Sequence, residues 1–173
     1  MRELILGGVR SGKSRHAEAQ AAASGLEVVC VATARALDEE MRARIAAHRA
    51  RRPAHWRTVE APLALAQALA REAAPGRCLI VDCLTLWLTN LFVETEAERR
   101  GAEVAALLEV LPRLPGRLVL VANETSMGVI PEGTLARRFL DEAGRLHQEV
   151  AARCERVTLM VAGLPLLLKG GGS

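Results

Sequence analysis

The stretch that decides the fold is residues 3–23, ELILGGVRSGKSRHAEAQAAA. A short apolar run enters a glycine-rich turn, and an alanine-rich segment with helical composition follows. Within it, Gly7, Gly12, Lys13 and Ser14 fit the pattern G-x-x-x-x-G-K-[ST], the phosphate-binding P-loop. The alternative is a chance match among the 14 glycines of the chain. The strand before the motif and the helix after it favour a nucleotide-binding protein.

Each part of this motif has a chemical role. Glycines at positions 7, 8 and 12 permit backbone angles and close approaches that a Cβ would block. Backbone amides at the start of the following helix then face the phosphates, where the helix dipole favours negative charge. We expect the Lys13 ammonium to reach the β- and γ-phosphates, and the Ser14 hydroxyl to hold Mg²⁺.

The rest of the chain alternates apolar runs with helical patterns, which is typical of an α/β fold with a mostly parallel sheet. Strands are predicted at 3–7, 26–32, 78–82, 117–122 and 156–162. Helices are predicted at 12–23, 38–51, 62–74, 84–92, 95–111 and 133–153. The segment with Trp56 and Glu60, and residues 123–132, are predicted loops. We expect one domain over 1–169, and the sequence GLPLLLKGGGS from 163 is interpreted as a tail that is disordered over 170–173.

Composition limits the class of protein. No apolar run approaches the roughly 20 residues of a membrane span, and the N-terminus lacks a secretory signal, so a cytoplasmic protein is expected. The four cysteines are scattered without a C-x-x-C pair, which favours free thiols. Six arginines lie between residues 42 and 57, but the chain has only two Trp, two Phe and no Tyr. Without aromatic stacking platforms, a phosphorylated small molecule is a better partner than nucleic acid.

Two further residues point to chemistry. Asp82 ends an apolar strand, where a P-loop protein keeps its second Mg²⁺ ligand; the alternative is an N-cap for the next helix. His48 shares a helix face with Met41 and Ile45, so a packed, structural histidine is one interpretation. The other interpretation rests on the neighbouring arginines, which disfavour the imidazolium. A neutral imidazole is a competent nucleophile towards phosphorus.

Seven segments in order resemble one family, the bifunctional adenosylcobinamide kinase/adenosylcobinamide-phosphate guanylyltransferases of cobalamin biosynthesis. The resemblance covers nearly the whole chain. Its segments are GGVRSGKSRHAE (7–18), VATA (31–34), D-x-E-M-x-x-R-I-x-x-H (38–48), RPAHWRTVE (52–60), DCLTLWLTN (82–90), NE-x-x-MG-x-x-PE (123–132) and RRFLDEAGRLHQ (137–148).

The resemblance implies a RecA-like P-loop fold, assembly as a homotrimer and two activities. Such enzymes phosphorylate the hydroxyl of the aminopropanol arm of adenosylcobinamide with ATP or GTP. They then carry GMP from GTP on a histidine, here His48, and transfer it to adenosylcobinamide phosphate, giving adenosylcobinamide-GDP. The family's nucleotide contacts fall on Gly7, Gly8, Val9, Arg10, Ser11, Gly12, Lys13, Ser14, Ala32, Thr33, Ala34, Arg49, Ala50, Arg51, Arg52, Glu60 and Asp82.

The chain departs from the family pattern at three positions. Ser126 stands where the family usually has Gly, and His147 where it often has Asn. Ala47 replaces a second histidine that some members carry, so His48 is the single candidate in its segment. Two other functions stay open at this point: an ordinary P-loop small-molecule kinase with a structural His48, and a nucleotide-binding switch without phosphoryl chemistry.

Overall fold

A computed structural model of the chain describes residues 1–36, 38–128 and 130–171. The strands are β1 (Arg2–Gly7), β2 (Glu27–Ala32), β3 (Arg57–Glu60), β4 (Arg77–Asp82), β5 (Arg117–Asn123), β6 (Arg156–Val161) and β7 (Leu164–Lys169). The helices are α1 (Lys13–Ala22), α2 (Glu39–Arg51), α3 (Leu65–Glu72), α4 (Leu84–Glu94), α5 (Ala97–Val110) and α6 (Thr134–Arg153). A 3₁₀ turn at Leu111–Arg113 follows α5.

All seven strands form one sheet in the order β3-β2-β4-β5-β1-β6-β7. Six strands are parallel, and only β7 runs antiparallel to its neighbour β6. The P-loop strand β1 lies near the centre, and β5 separates it from β4, which carries Asp82. Because parallel strands end at the same edge of a sheet, the P-loop and Asp82 share one crevice. The predicted single-domain α/β class with a mostly parallel sheet is confirmed.

The central strands are buried on both faces, which explains why they are continuous apolar runs. One face packs under α3, α4, α5 and α6, with Trp87 and Leu107 among its fully buried side chains. The other face packs under α1, where Ala17 and Ala21 let the helix lie close to Ile5 and Val119. The site described below therefore rests on a rigid base.

Two segments differ from the sequence-based predictions. Residues 57–60, predicted as a loop, form the edge strand β3, which pairs with β2 from Arg57 to Glu60. Residues 164–169, interpreted as a tail, form β7 and pair with β6. Both are edge strands whose residues are partly or fully exposed, so neither shows the buried apolar run that marks a central strand. Helix α3 begins at Leu65 rather than at Pro62.

Two further sequence-based expectations concern disorder at the end of the chain and the presence of membrane-spanning helices. The predicted disorder at 170–173 falls in part on residues 172–173, which lie outside the described residues. Within the described ranges, no helix combines the length and the apolar character that crossing a membrane requires.

Candidate active site

A cleft of about 780 Å³ opens at the carboxyl edge of the sheet. It is bounded by the P-loop, the ends of β2 and β4, one side of α2, and the turn between β6 and β7. Its lining includes Val9, Arg10, Ser11, Gly12, Lys13, Ser14, Ala32, Ala34, Met41, Arg44, Ile45, His48, Arg49, Arg51, Arg52, Asp82, Cys83, Leu86, Asn123, Ala162 and Gly163. The P-loop and the arginine-rich helix thus face the same space.

The P-loop depends on two glycines. A Cβ at Gly7 would lie 2.5 Å from Ser11 Oγ and 2.8 Å from the Met160 carbonyl oxygen, so the turn closes only without a side chain there. Gly12 has a φ of +95°, a left-handed conformation that side chains disfavour, and it caps α1. These positions fix the loop so that its amides and the start of α1 face the cleft.

Lys13 already points along the loop. Its Nζ donates a hydrogen bond to the Gly8 carbonyl oxygen at 3.0 Å. Burial lowers the pKa of Lys13, and the nearby carboxylate of Asp82 acts in the opposite direction. A flexible ammonium held only by a carbonyl is free to turn to a stronger acceptor such as a phosphate oxygen.

Ser14 and Asp82 form the candidate Mg²⁺ site. Ser14 Oγ lies 3.5 Å from Asp82 Oδ1, so the two predicted ligands meet at the same end of the cleft. The described residues contain no group of three or more His, Cys, Asp and Glu side chains that could hold a metal. This donor set fits Mg²⁺ all the same, because that ion is usually held by one or two protein ligands together with phosphates and water.

Asp82 also contacts the arginine-rich helix. Its Oδ2 lies 3.3 Å from His48 Nδ1 and accepts a hydrogen bond from Arg52 at 3.0 Å. Burial alone would raise the pKa of Asp82, but the hydrogen bond from His48 and the charges of Arg52 and Lys13 outweigh it and hold the pKa below its usual value. The alternative role as an N-cap is wrong, because Cys83 occupies that position in α4 and no side chain caps the helix.

The ring of His48 is accessible. Its side chain is 34% exposed and lines the cleft, and no residue of α2 is buried. Asp38 is the N-cap of α2, and its carboxylate accepts a hydrogen bond from the Met41 amide, so a local cap stabilises the helix that carries the ring. This position does not match the packed-histidine interpretation. The contact with a carboxylate was not anticipated from the surrounding arginines.

Arg52 connects α1, α2 and β4. Its side chain is only 7% exposed, and besides Asp82 it contacts Glu18 of α1 at 3.5 Å. Arg51 also reaches Glu18, at 3.6 Å. A buried guanidinium between two carboxylates fixes their positions, because its planar donors bind both at once.

Comparison with known proteins identifies the family of the chain. Residues 3–168 match the family model described as cobinamide kinase / cobinamide phosphate guanyltransferase. The chain belongs to this family. It is 65% identical over 170 residues to the bifunctional adenosylcobalamin biosynthesis protein CobP of Pseudomonas aeruginosa PAO1, covering 98% of each chain. It is 40% identical over 179 residues to the protein CobU of Escherichia coli K12, covering 96% of this chain and 98% of that one.

A solved structure shows similarity in fold. A Pyrococcus horikoshii OT3 protein superimposes with a TM-score of 0.54 at 9% identity, over 99% of this chain and 87% of that one. The likeness concerns the fold alone; the family model and the two relatives above confirm the predicted membership in the cobinamide kinase/guanyltransferase family.

Some residues that the family resemblance implied lie outside the cleft lining. These are Gly7, Gly8, Thr33, Ala50 and Glu60. Thr33 is fully buried, and its hydroxyl donates to the Cys83 carbonyl at 2.7 Å and accepts from the Cys83 amide at 2.9 Å. It joins the ends of β2 and β4 beneath the site. Glu60 is an ion-pair partner of Arg49, at 2.8 Å.

The structure adds residues to this family member's site that the sequence analysis did not select. Glu18 is the partner of Arg52, Arg44 lines the cleft one turn before His48, and Asn123 ends β5 beside the P-loop. The turn at Ala162–Gly163 contacts the P-loop through the Gly163 amide, which donates to the Ser11 carbonyl at 3.0 Å. Asn123 and Glu18 both lie in quoted family segments, which was a signal for each; Gly163 lies in none of these segments.

Proposed function

We propose that this chain phosphorylates adenosylcobinamide with ATP or GTP. In a second reaction it transfers GMP from GTP, through a covalent intermediate on His48, to adenosylcobinamide phosphate, giving adenosylcobinamide-GDP. The observation that supports this proposal most directly is that an accessible imidazole and a P-loop line the same cleft. Membership in the family supports the choice of substrates.

In the guanylylation step, a ring nitrogen of His48 attacks the α-phosphorus of GTP. The new N–P bond forms as the bond to the bridging oxygen breaks, and pyrophosphate leaves with that electron pair. Lys13 and arginines of α2 face the cleft, where they neutralise charge on the departing oxygens. A phosphate oxygen of adenosylcobinamide phosphate then attacks the same phosphorus, the N–P bond breaks, and the imidazole is regenerated.

In the kinase step, the hydroxyl of the aminopropanol arm attacks the γ-phosphorus of the bound nucleotide. The new O–P bond forms as the bond from the γ-phosphorus to the bridging oxygen breaks, the nucleoside diphosphate leaves with that electron pair, and the hydroxyl proton passes to solvent. We assign Lys13 to the β- and γ-phosphates in this step, since its Nζ lies against the loop that cradles them. Both reactions need a bound triphosphate, which is consistent with one P-loop serving both.

We further propose that Ser14 and Asp82 hold Mg²⁺ with the nucleotide. The ion would neutralise phosphate charge when bound. The juxtaposition of the Ser14 hydroxyl with Asp82 Oδ1 supports this assignment, and a lowered pKa keeps Asp82 ionised at neutral pH. Phosphate oxygens of the nucleotide and water would supply its other ligands.

We also propose a homotrimer in the cytoplasm. Strand β7 lies at the edge of the sheet and exposes Leu164, Leu166, Leu167 and Leu168, which supports association between chains. The trimeric state itself comes from the family resemblance, and light scattering coupled to size-exclusion chromatography tests it. The four cysteines are free and buried, as expected in a reducing compartment.

The deciding experiment maps the adduct. The wild-type chain is incubated with GTP and Mg²⁺, and intact-mass and peptide mass spectrometry locate any added GMP. We expect one GMP on the peptide containing His48, and none in His48→Ala. His55→Ala is the matched control, because His55 is exposed and lies outside the cleft, and it should be labelled like the wild type.

Other outcomes separate the remaining functions. Phosphorylation of adenosylcobinamide without any protein adduct would indicate an ordinary P-loop kinase, in which His48 is only a structural partner of Asp82. Nucleotide binding without either reaction would indicate a switch or scaffold. Lys13→Ala should remove both the adduct and kinase turnover if the proposal is correct.

A further inference from the structure

A second cavity, of about 580 Å³, lies beside the active-site cleft. It is formed by the end of α4, the start of α5 and the beginning of α6. An ion pair connects the groove lining to the segment that follows β2: Arg35 Nη1 lies 2.6 Å from Glu94 Oε2. Arg35 follows Ala34, which lines the cleft, while Glu94 lines the second cavity. We call this second cavity the α4–α6 groove.

The floor of the α4–α6 groove is built from interlocked side chains. The Arg100 guanidinium lies 4.2 Å from the centre of the Phe92 ring, and its Nε donates to Glu142 at 2.9 Å. Phe92 also makes an edge-to-face contact with Phe139, with ring centres 5.4 Å apart. Arg100 is buried, so these contacts fix the base of the groove.

The walls, by contrast, are open. Val93 is 75% exposed and Leu135 is 67% exposed, although both are large apolar side chains. Arg99 and Arg138 are also exposed, and neither forms an ion pair or side-chain hydrogen bond within the described ranges. Two unengaged guanidinium groups and two apolar side chains therefore face one cavity whose base is rigid.

We propose that the α4–α6 groove binds the corrin ring of adenosylcobinamide while its aminopropanol arm reaches across into the cleft. This inference rests on the proposed function and assigns the docking site of its larger substrate. A corrin ring is an apolar macrocycle with a fringe of carboxamide side chains. Arg99 and Arg138 donate to the carboxamide oxygens, and Val93 and Leu135 pack on the apolar face.

The acidic side chains that line the groove favour a corrin ring over a second nucleotide as its ligand. Glu94 and Glu96 also line the groove, and their carboxylates would repel a polyphosphate. A carboxamide, however, carries an NH₂ donor as well as an oxygen acceptor, so both acidic and basic side chains find partners on it. Glu94 of the groove pairs with Arg35, the residue after Ala34 of the cleft, and this contact links the proposed ring site to the nucleotide cleft.

The test uses the full chain and adenosylcobinamide itself. Binding of the coloured corrinoid is measured by equilibrium dialysis for the wild type and for the double variant Arg99→Gln/Arg138→Gln. We expect the Kd of the double variant to rise by at least about fivefold, because two charge-assisted hydrogen bonds are lost. Formation of the His48–GMP adduct from GTP should stay at the wild-type rate, because that step does not involve the corrinoid.

Arg145→Gln is the matched control. Arg145 lies on α6, is exposed and does not line the groove, so its replacement should leave corrinoid binding unchanged. A second variant, Leu135→Asp, places a charge against the apolar face and should also weaken binding by at least about fivefold.

The outcomes separate this inference from the proposed function. A wild-type Kd in the double variant and in Leu135→Asp overturns the groove assignment, whatever the adduct assay shows. An equal loss in Arg145→Gln overturns it as well, because the effect would then be one of general surface charge. Absence of a GMP adduct in the wild type contradicts the proposed function, whereas the dialysis result still decides the corrinoid site.

Discussion

The Nδ1 atom of His48 lies 3.3 Å from Oδ2 of Asp82, while the other carboxylate oxygen faces the P-loop hydroxyl of Ser14 at 3.5 Å. One carboxylate thus stands between the proposed nucleophile and the nucleotide loop. Since its pKa lies below the usual value, Asp82 is ionised at neutral pH and presents a negative charge to Nδ1. This relationship determines which nitrogen of the ring can react.

The first prediction concerns the position of the adduct on the ring. Because the Asp82 carboxylate faces Nδ1, we expect the ring proton on Nδ1 and the reactive lone pair on Nε2, so that GMP is bonded to Nε2. Phosphorus–proton and nitrogen-15 correlation spectra of the guanylylated protein distinguish the two isomers. A phosphoramidate on Nδ1 would contradict the orienting role of Asp82.

The second prediction concerns Mg²⁺. In Asp82→Asn the side chain keeps its size but loses its charge, so we expect the Mg²⁺ concentration for half-maximal turnover to rise at least about tenfold. Thermal unfolding of the same variant should change less than turnover does. Asp141→Asn, an exposed carboxylate on α6, is the control. Unchanged turnover with a large drop in Tm would give Asp82 a structural role only.

The third prediction concerns Arg52, which acts through Asp82. Arg52 reaches Glu18 and Asp82 through two different nitrogens, whereas a lysine offers all its donors from one nitrogen and cannot reproduce this geometry, so Arg52→Lys should slow formation of the GMP adduct by about tenfold. Saturating GTP should not restore the rate, because the defect is in the position of Asp82 and His48.

Arg117→Lys is the matched control for Arg52→Lys. Arg117 is also largely buried and also reaches two side chains, Gln20 and Glu3, but it lies at the opposite edge of the sheet. We expect it to lower stability and to leave the rate of adduct formation per folded molecule unchanged. Equal slowing in both variants would indicate a general effect of removing a buried guanidinium.

The fourth prediction uses the buried His147. Burial lowers its pKa below the usual value of 6.5, although Glu124, 4.0 Å away, acts in the opposite direction. As the pH falls through 6.5 towards the folded-state pKa, the unfolded chain therefore binds more protons than the folded one, and stability decreases. His147→Asn removes this dependence, so the loss of unfolding free energy between pH 7.5 and pH 5.5 should become smaller.

Urea unfolding at the two pH values measures the effect, and His55→Asn is the control. His55 is exposed, so its replacement should leave the pH dependence as in the wild type. An unchanged slope in His147→Asn would show that the buried imidazole does not destabilise the fold in acid.

The parts of the fold that were predictable from sequence are those dictated by local chemistry. The glycine turn fixed the end of β1 and the start of α1, and continuous apolar runs marked the buried strands β2, β4 and β5. The edge strands β3 and β7 were missed because strand pairing is a long-range property. Residues 57–60 are polar at both ends, and 164–169 contain a proline next to leucines, so neither has the alternation of a typical strand.

In the site, too, some residues were predictable from the sequence and some contacts were not. Lys13, Ser14, Asp82 and His48 were selected from motif chemistry, and the structure brings all four to one cleft. The contact of Arg52 with Glu18 joins two helices far apart in the sequence, and no spacing rule predicts it. The family resemblance implied a nucleotide contact at Thr33, yet its hydroxyl is engaged with the backbone of Cys83.

The fifth prediction follows from the segment DCLTLWLTN, which contributes Asp82 to the site and Trp87 to the core. Trp87 is fully buried, and its indole Nε1 donates to the Leu63 carbonyl at 2.7 Å, holding the segment before α3 against α4. Trp87→Phe removes this bond and leaves a cavity, so we expect the unfolding free energy to fall by about 2–4 kcal/mol. The indole of Trp56 makes no side-chain hydrogen bond within the described ranges, so Trp56→Phe should lower the unfolding free energy by less. Denaturant unfolding followed by circular dichroism compares the two, and an equal loss would show that the bond to Leu63 adds nothing.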